Sequence, residues 1–333
     1  RRGRQVTVGT TRLPGTDQAP TRSVVTRRSG SADTLFRWTT LAAGLVVLVV
    51  LALIAVAMTR EAWPAFTHEG FRFVTGTRWA PADGVFGALP FIWGTLLTSL
   101  IAVVLGVPVS IGIALFLSEV APVRARRPVT YLVDLLAAIP SVVFGLWGVI
   151  FLAPKIAPVY ESVASSLRSV PIVGTVLGPP ASGKSFFTAG VILALMITPI
   201  VTSISREVFD TTPSGQKEAA LALGATRWEM VRAAVFPHSR AGVVGAVMLG
   251  LGRAMGETIA AALVIGSSPQ ITAKVFAPGD AMAAVIANQF GEAADVHRAA
   301  LIGLGVLLFV LTILVNMAAR VVVGRVPEGA VAR

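Results

Sequence analysis

Cysteine is missing from all 333 residues, so neither a disulfide nor a thiolate metal site can form. Charge is scarce as well: Asp, Glu, Lys and Arg make up 14% of the chain, against roughly a quarter in ordinary soluble domains. Acid is the scarcer sign, with 17 Asp and Glu against 28 Lys and Arg and a formal net charge of +11. Strands that alternate apolar and polar residues are missing too, which excludes a membrane-spanning β-barrel. No window of soluble α/β character remains between the apolar runs.

Those runs dominate the chain, which is 54% hydrophobic with a mean hydropathy of +0.77. Uncharged windows cover 38–59, 84–118, 135–154, 185–205, 258–273 and 299–319. Most are long enough to cross a hydrocarbon core of about 30 Å at about 1.5 Å per residue. One further span must use 241–266, which carries two charges. The prediction is an all-α polytopic membrane protein with six helices at about 39–59, 91–117, 131–153, 186–204, 242–266 and 297–319.

Lys and Arg placement orients these spans. With the N-terminus inside, the inner segments hold nineteen basic residues and the outer ones eight, with Arg253 left inside a span. Both termini are therefore expected to be cytoplasmic. Residues 1–36, rich in Arg, Thr, Ser, Gly and Pro, read as a disordered basic cytoplasmic tail. Residues 37–60 form the first span and 61–90 an external loop. Residues 91–320 form a core with a cytoplasmic loop at 206–240, and 321–333 a second cytoplasmic tail. Basic residues concentrated on one side of a membrane fit anionic lipid as a partner, not nucleic acid. A cleaved signal peptide is the alternative for the N-terminal region, because Ala55-Val-Ala57 has small-residue spacing, but the apolar run is too long and its basic leader too extended.

Gly178-Pro-Pro-Ala-Ser-Gly-Lys-Ser185 fits the phosphate-cradling pattern G-x-x-x-x-G-K-[ST] at each position it specifies. That loop works within a parallel sheet, with a second strand whose Asp holds Mg²⁺. On this topology it falls in an external loop, where the glycines and prolines read as a turn and Lys184 as a headgroup-level cation.

The loop TTPSGQKEAALALGATRWEMVRAAVFP, 211–237, reads as two short helices presented to the cytoplasm. Thr212-Pro213 suits an N-cap and first helical position, and Gly224 permits a break. Thr226-Arg-Trp-Glu229 has capping-box spacing, and Pro237 is expected to end the second helix. Ala219, Ala220 and Ala222 would allow close approach to a groove in a partner; the alternative is an amphipathic hairpin on the inner leaflet.

In the fifth span, Gly250-Leu-Gly-Arg253-Ala-Met-Gly256-Glu257-Thr258 puts a cation and an anion four residues apart, on one face of a continuous helix. Charges at this depth face a bundle interior or an aqueous path. Either they neutralise each other and pin packing, or Arg253 offers its fork of N–H donors to a tetrahedral oxyanion with Glu257 holding it. Gly252-x-x-x-Gly256 has the spacing of packed interfaces, and Pro108, Pro140 and Pro199 are expected to kink three other spans.

Glu218-Ala219-Ala220, three residues, Gly224, nine residues, then Ala234-Val-Phe236-Pro237 resembles the EAA loop of ABC importer permeases, with Ala234 and Phe236 replacing the usual Ile and Leu. GLGRAMGETIAAALVIG resembles the GLGRALGET-type segment of phosphate permeases of the PstC and PstA kind, and the similarity continues through AGVILALMITPIVTSISREVF, covering about 91–320. The long external segments favour the PstC kind. The resemblance implies the type I permease fold, in the plasma (inner) membrane of a prokaryote. It implies a second related permease, a homodimeric ATP-binding subunit that holds ATP and Mg²⁺, and an external phosphate-binding protein. No cofactor or enzymatic step belongs to this chain. Arg253 and Glu257, with Thr258 beside them, match positions needed for phosphate movement, and Glu218, Ala219, Ala220, Gly224, Ala234, Phe236 and Pro237 match the ATPase-coupling loop. Other readings are a permease for sulfate or molybdate, a membrane-embedded P-loop nucleotidase, and a sensor or scaffold that docks an ATPase without transporting.

Overall fold

A computed structural model of the protein describes residues 31–167, 176–177 and 183–324. Residues 1–30 of the tail expected at 1–36 and 325–333 of that expected at 321–333 lie outside the described residues, whereas the described remainder, 31–36 and 321–324, is helical and not tail. Among the described residues, six helical segments are long and apolar enough to cross a membrane: Asp33–Glu69, Leu89–Val120, Ser141–Ser166, Phe186–Asp210, Arg227–Met255 and Asp295–Val321. The chain divides after Leu53. The described part of the first unit is the start of α1 (Ser31–Glu69), whose apolar side chains from Leu35 to Leu53 are exposed.

The second unit holds the rest of α1, a helical turn α2 (Arg72–Thr75) and a two-stranded antiparallel hairpin, β1 (Trp79–Ala80) and β2 (Val85–Phe86). Then come α3 (Leu89–Leu115), α4 (Val123–Ala138), α5 (Ser141–Trp147), α6 (Ala153–Ser166) and α7 (Phe186–Asp210). The remainder is α8 (Ser214–Ala222), α9 (Arg227–Met230), α10 (Phe236–Met255), α11 (Ile259–Val264), α12 (Met282–Gln289) and α13 (Asp295–Gly324). At its centre stands α7, packed on α3, α5, α10 and α11. Small residues let the backbones close in: a Cβ at Gly106 of α3 would press on Ile197 and the Ala194 carbonyl, and one at Gly250 of α10 on Val201. A second cluster joins Ala65, Phe73, Phe86 and Phe91 to α12 and α13, and a third joins Ala114 and Phe209 to Met230, Val231, Val235 and Val243.

Four expectations need correction. The first helix does not stop near residue 60, because Arg60 and Glu61 leave the apolar run but are good helix formers, and the helix reaches Glu69 with Ala62 and Ala65 buried. The third span is not one helix over 131–153. Ile139 and Pro140 take extended ψ values of 127° and 141°, which ends α4 and starts α5. The two pieces run antiparallel to α7: Arg206 donates to Thr130 at 3.1 Å, and Gly148 packs on Ile192. Beyond them, 154–166 of the external segment expected at 154–185 is helical, while 168–175 and 178–182 lie outside the described residues.

Third, Pro237 does not end a helix. Between α9 and α10 the chain makes a π-helical turn, Val231–Val235, and the helix passes through Pro237 without interruption. A second π-turn, Gly148–Leu152, precedes Pro154 in the same way. Proline lacks the N–H that an α-helical ladder needs and its ring crowds the preceding turn, and the wider turn just before it absorbs both defects. Pro108 and Pro199 likewise sit inside unbroken helices. Fourth, the fifth span is not continuous over 242–266, since α10 ends at Met255 and α11 begins at Ile259.

Gly94 of α3 lies where any Cβ would overlap the carbonyl oxygen of Asp280, whereas Gly112, five turns along the same helix, faces open space. Gly94→Ala should therefore cost upward of about 3 kcal/mol through overpacking against backbone. Gly112→Ala should be neutral or gain roughly 0.5–1 kcal/mol. Thermal melting of the detergent-solubilised protein checks both.

Candidate functional site

The 211–237 segment folds as two helices at a corner, as its sequence dictates. Gly224 takes φ +86°, a left-handed value that glycine adopts without strain. Thr226 then makes a complete capping box: its Oγ1 accepts from the Glu229 N–H at 3.3 Å and Glu229 Oε2 accepts from the Thr226 N–H at 2.7 Å. Thr212 does not cap α8. Pro213 has ψ 131° and occupies the cap position itself, leaving the Thr212 hydroxyl buried without a partner. Glu218, Ala219 and Gly224 are exposed, while Ala234 is buried and Ala220 and Phe236 are half-buried. Phe236 stands edge-on between Phe209 and Trp228. At the corner Leu223 is 90% exposed, and Trp228 is 62% exposed. The hairpin offers an apolar tip and rests on a packed base.

A polar cluster ties that base to α3 and α7. Glu119, in the π-turn Phe116–Val120 that ends α3, receives the Lys217 ammonium of α8 at 2.6 Å. The neighbouring Ser118 hydroxyl reaches Asp210 Oδ1, at the end of α7, at 2.8 Å and Glu119 Oε1 at 2.9 Å. Arg227 donates to the Glu119 carbonyl at 3.3 Å, and Arg126 of α4 donates to the Ser118 carbonyl. Sequence reading missed this cluster. Its members lie up to 109 residues apart, beyond the reach of any helical spacing rule.

Arg253 and Glu257 are not paired. The one-turn spacing holds only while the helix continues, and Gly256, at φ −90° and ψ 2°, closes α10 before Glu257 is reached. Glu257 is buried, and its Oε1 accepts the Ala260 N–H at 3.3 Å, so it supports the start of α11. Thr258, half-buried, donates from Oγ1 to the Gly256 carbonyl at 3.3 Å. Arg253 is exposed and makes no ion pair or hydrogen bond among the described residues, leaving its guanidinium donors available. Its depth follows from Gly250, about one turn earlier, which packs on Ile197 and Val201 midway along α7. Gly245, Leu249 and Arg253 are exposed and form one face of α10, and Gly256, just beyond its end, is exposed as well.

The described end of GPPASGKS is structural. Ser185 is fully buried; its Oγ accepts the Thr188 N–H at 3.1 Å to cap α7, and its own N–H donates to the Val264 carbonyl at 3.1 Å. Among the described residues there is no sheet but the antiparallel hairpin β1–β2. Nor do three His, Asp or Glu side chains converge there as metal ligands would.

The family model for the binding-protein-dependent transport system inner membrane component matches residues 106–327, from mid-α3 to the end of α13. The chain belongs to this permease family. It is 42% identical over 307 residues to the phosphate transport system permease protein PstC of Mesorhizobium japonicum, covering 92% of this chain and 94% of that one. It is 44% identical over 303 residues to the phosphate transport system permease protein PstC 2 of Mycobacterium tuberculosis, covering 90% and 94%. The PstC of Haemophilus influenzae is 40% identical over 297 residues, covering 89% and 94%. Among solved structures, a bacterial ABC transporter involved in alginate import superposes with a TM-score of 0.59 at 19% identity, over 89% of this chain and 98% of that chain. The MetNI methionine ABC transporter gives 0.52 at 20%, over 75% and 100%. At such identities the likeness is one of fold: an ABC importer permease, here a multi-pass protein of the inner membrane.

Within this permease fold a second buried acid follows Glu257, in the loop before the last span. Asp280, 4% exposed, precedes α12 and accepts the Ala281 N–H at 2.9 Å. Burial pushes its carboxyl up from 3.8 to about 6, against the smaller downward pull of that hydrogen bond. Between those values the folded chain holds a proton that the unfolded chain has lost. The contribution of Asp280 to stability is therefore favourable at low pH and is lost as pH rises through about 6. Asp280→Asn keeps an acceptor for Ala281 and cannot ionise. It should be more stable than the unaltered chain at pH 7.5, by up to about 3 kcal/mol, and converge with it near pH 4. Melting curves across that range decide it.

Proposed function

We propose that the chain is the permease subunit of an ATP-driven importer of inorganic phosphate. The observation that carries this reading is the 38–44% identity to phosphate transport permeases, which extends over about nine-tenths of the chain. As a permease subunit it does no covalent chemistry. ATP and Mg²⁺ belong to a separate homodimeric ATPase subunit, and a second related permease completes the path. An external phosphate-binding protein supplies the ion. Both termini and the 211–237 hairpin lie in the cytoplasm, an orientation supported by the nineteen-to-eight excess of basic residues on that side.

Arg253 supports the location of the path. A guanidinium at mid-depth is costly against lipid, so the exposed α10 face that carries it turns toward the second permease and the aqueous route between them. There it offers a fixed fork of donors to the tetrahedral oxyanion. Glu257 serves this site by holding the start of α11, which sets the geometry of the break beyond Arg253, and Thr258 lies in that break. Binding is weak by design, because a site that held phosphate tightly would slow its release. At the other end Glu218, Ala219, Ala220 and Gly224 face the ATPase cleft, and Ala234, Phe236 and Pro237 join the hairpin to α10. Closure of the ATPase dimer moves the hairpin and so alternates the opening of the path.

Radiolabelled phosphate uptake in cells that depend on this chain tests the reading, with membrane levels matched. Uptake should survive excess sulfate or molybdate and survive Lys184→Ala. With Arg253→Ala it should fall by about tenfold or more, as expected for loss of a charge-assisted contact of about 1.5–3 kcal/mol. Competition by sulfate or molybdate would reassign the substrate to another oxyanion. Loss with Lys184→Ala and none with Arg253→Ala would overturn the path.

A further inference from the structure

Ser118 has one hydroxyl proton and two carboxylates within reach, Asp210 at 2.8 Å and Glu119 at 2.9 Å. It can serve only one of them at a time. The competition is settled by Lys217, whose ammonium lies 2.6 Å from the same Glu119 oxygen and so satisfies that carboxylate from α8. Both partners are largely shielded, with the Glu119 side chain 8% exposed and that of Lys217 21% exposed. A shielded carboxylate that loses its cation needs another donor. The nearest one is the Ser118 hydroxyl.

We propose that Ser118 and Glu119 form a two-position latch that carries movement of the α8–α9 hairpin into α3 and α7. With the hairpin seated, Lys217 holds Glu119 and the Ser118 hydroxyl holds Asp210, so the ends of α3 and α7 are joined. When the hairpin withdraws, Lys217 leaves with it. The hydroxyl turns to Glu119, Asp210 is released, and the ends of α3 and α7 are free to separate. Arg227, which donates to the Glu119 carbonyl from α9, makes the second helix of the hairpin leave the same anchor. Arg126, which donates to the Ser118 carbonyl from α4, keeps the latch itself in place. This is a discrete two-state element that one site can bias and another can feel, as coupling across a protein requires. It rests on the reading of 211–237 as the ATPase-docking hairpin.

The test uses the assembled transporter in proteoliposomes: this chain, the second permease, the ATPase subunit and phosphate-loaded binding protein. Hydrolysis is measured with and without the binding protein, together with phosphate moved per ATP. Ser118→Ala and Glu119→Gln should retain the ATPase subunit on purification and keep unstimulated hydrolysis. Stimulation by the binding protein should fall by about fivefold or more, the low end of typical site-to-site coupling, and phosphate moved per ATP should fall with it. Glu119→Lys combined with Lys217→Glu should recover stimulation that Glu119→Lys alone removes. Full stimulation and an unchanged ratio in Ser118→Ala and Glu119→Gln would overturn the latch, as would a swap without recovery. Loss of the ATPase subunit from either single variant would reduce the pair to a structural prop and also overturn it. Failure of the unaltered chain to retain the ATPase subunit would instead overturn the docking reading, and the latch with it.

Discussion

Hydrocarbon supplies no hydrogen bonds, so every backbone amide and carbonyl in a spanning segment must find its partner within the protein. The structure follows from that demand. It forces long helices, and it decides where a helix is allowed to fail. The breaks at Ile139–Pro140 and Gly256–Thr258 each adjoin a helix that packs on α7, and the second break is supported by a buried carboxylate. Two prolines that would cut a ladder follow π-turns instead.

The features legible in the sequence are those whose causes are local. Apolar length gave the number of spans, and Thr226 with Glu229 gave the start of α9, because a capping box is complete within four residues. The break at 256–258 was half legible. Gly256 drew notice as a packing residue, but nothing in the spacing says that the ladder closes there, and assuming continuity produced the Arg253–Glu257 pair that the fold does not make. Thr212-Pro213 misled for a related reason: a proline at the first helical position and a proline at the cap look the same until ψ is known. Glu119 and Lys217 were not legible at all, since 98 residues separate them and only the fold brings them together.

The two charged arrangements contrast. Lys217 and Glu119 neutralise each other at the base of the hairpin, so their cost is met within the chain. Arg253, halfway along the bundle, has no such partner among the described residues. One charge is held within the chain and the other is presented at its surface.

That presented cation has a consequence for the surface that carries it. A guanidinium at this depth must be covered by another protein surface or draw water down to its own level, so the exposed α10 face is not one that acyl chains can solvate.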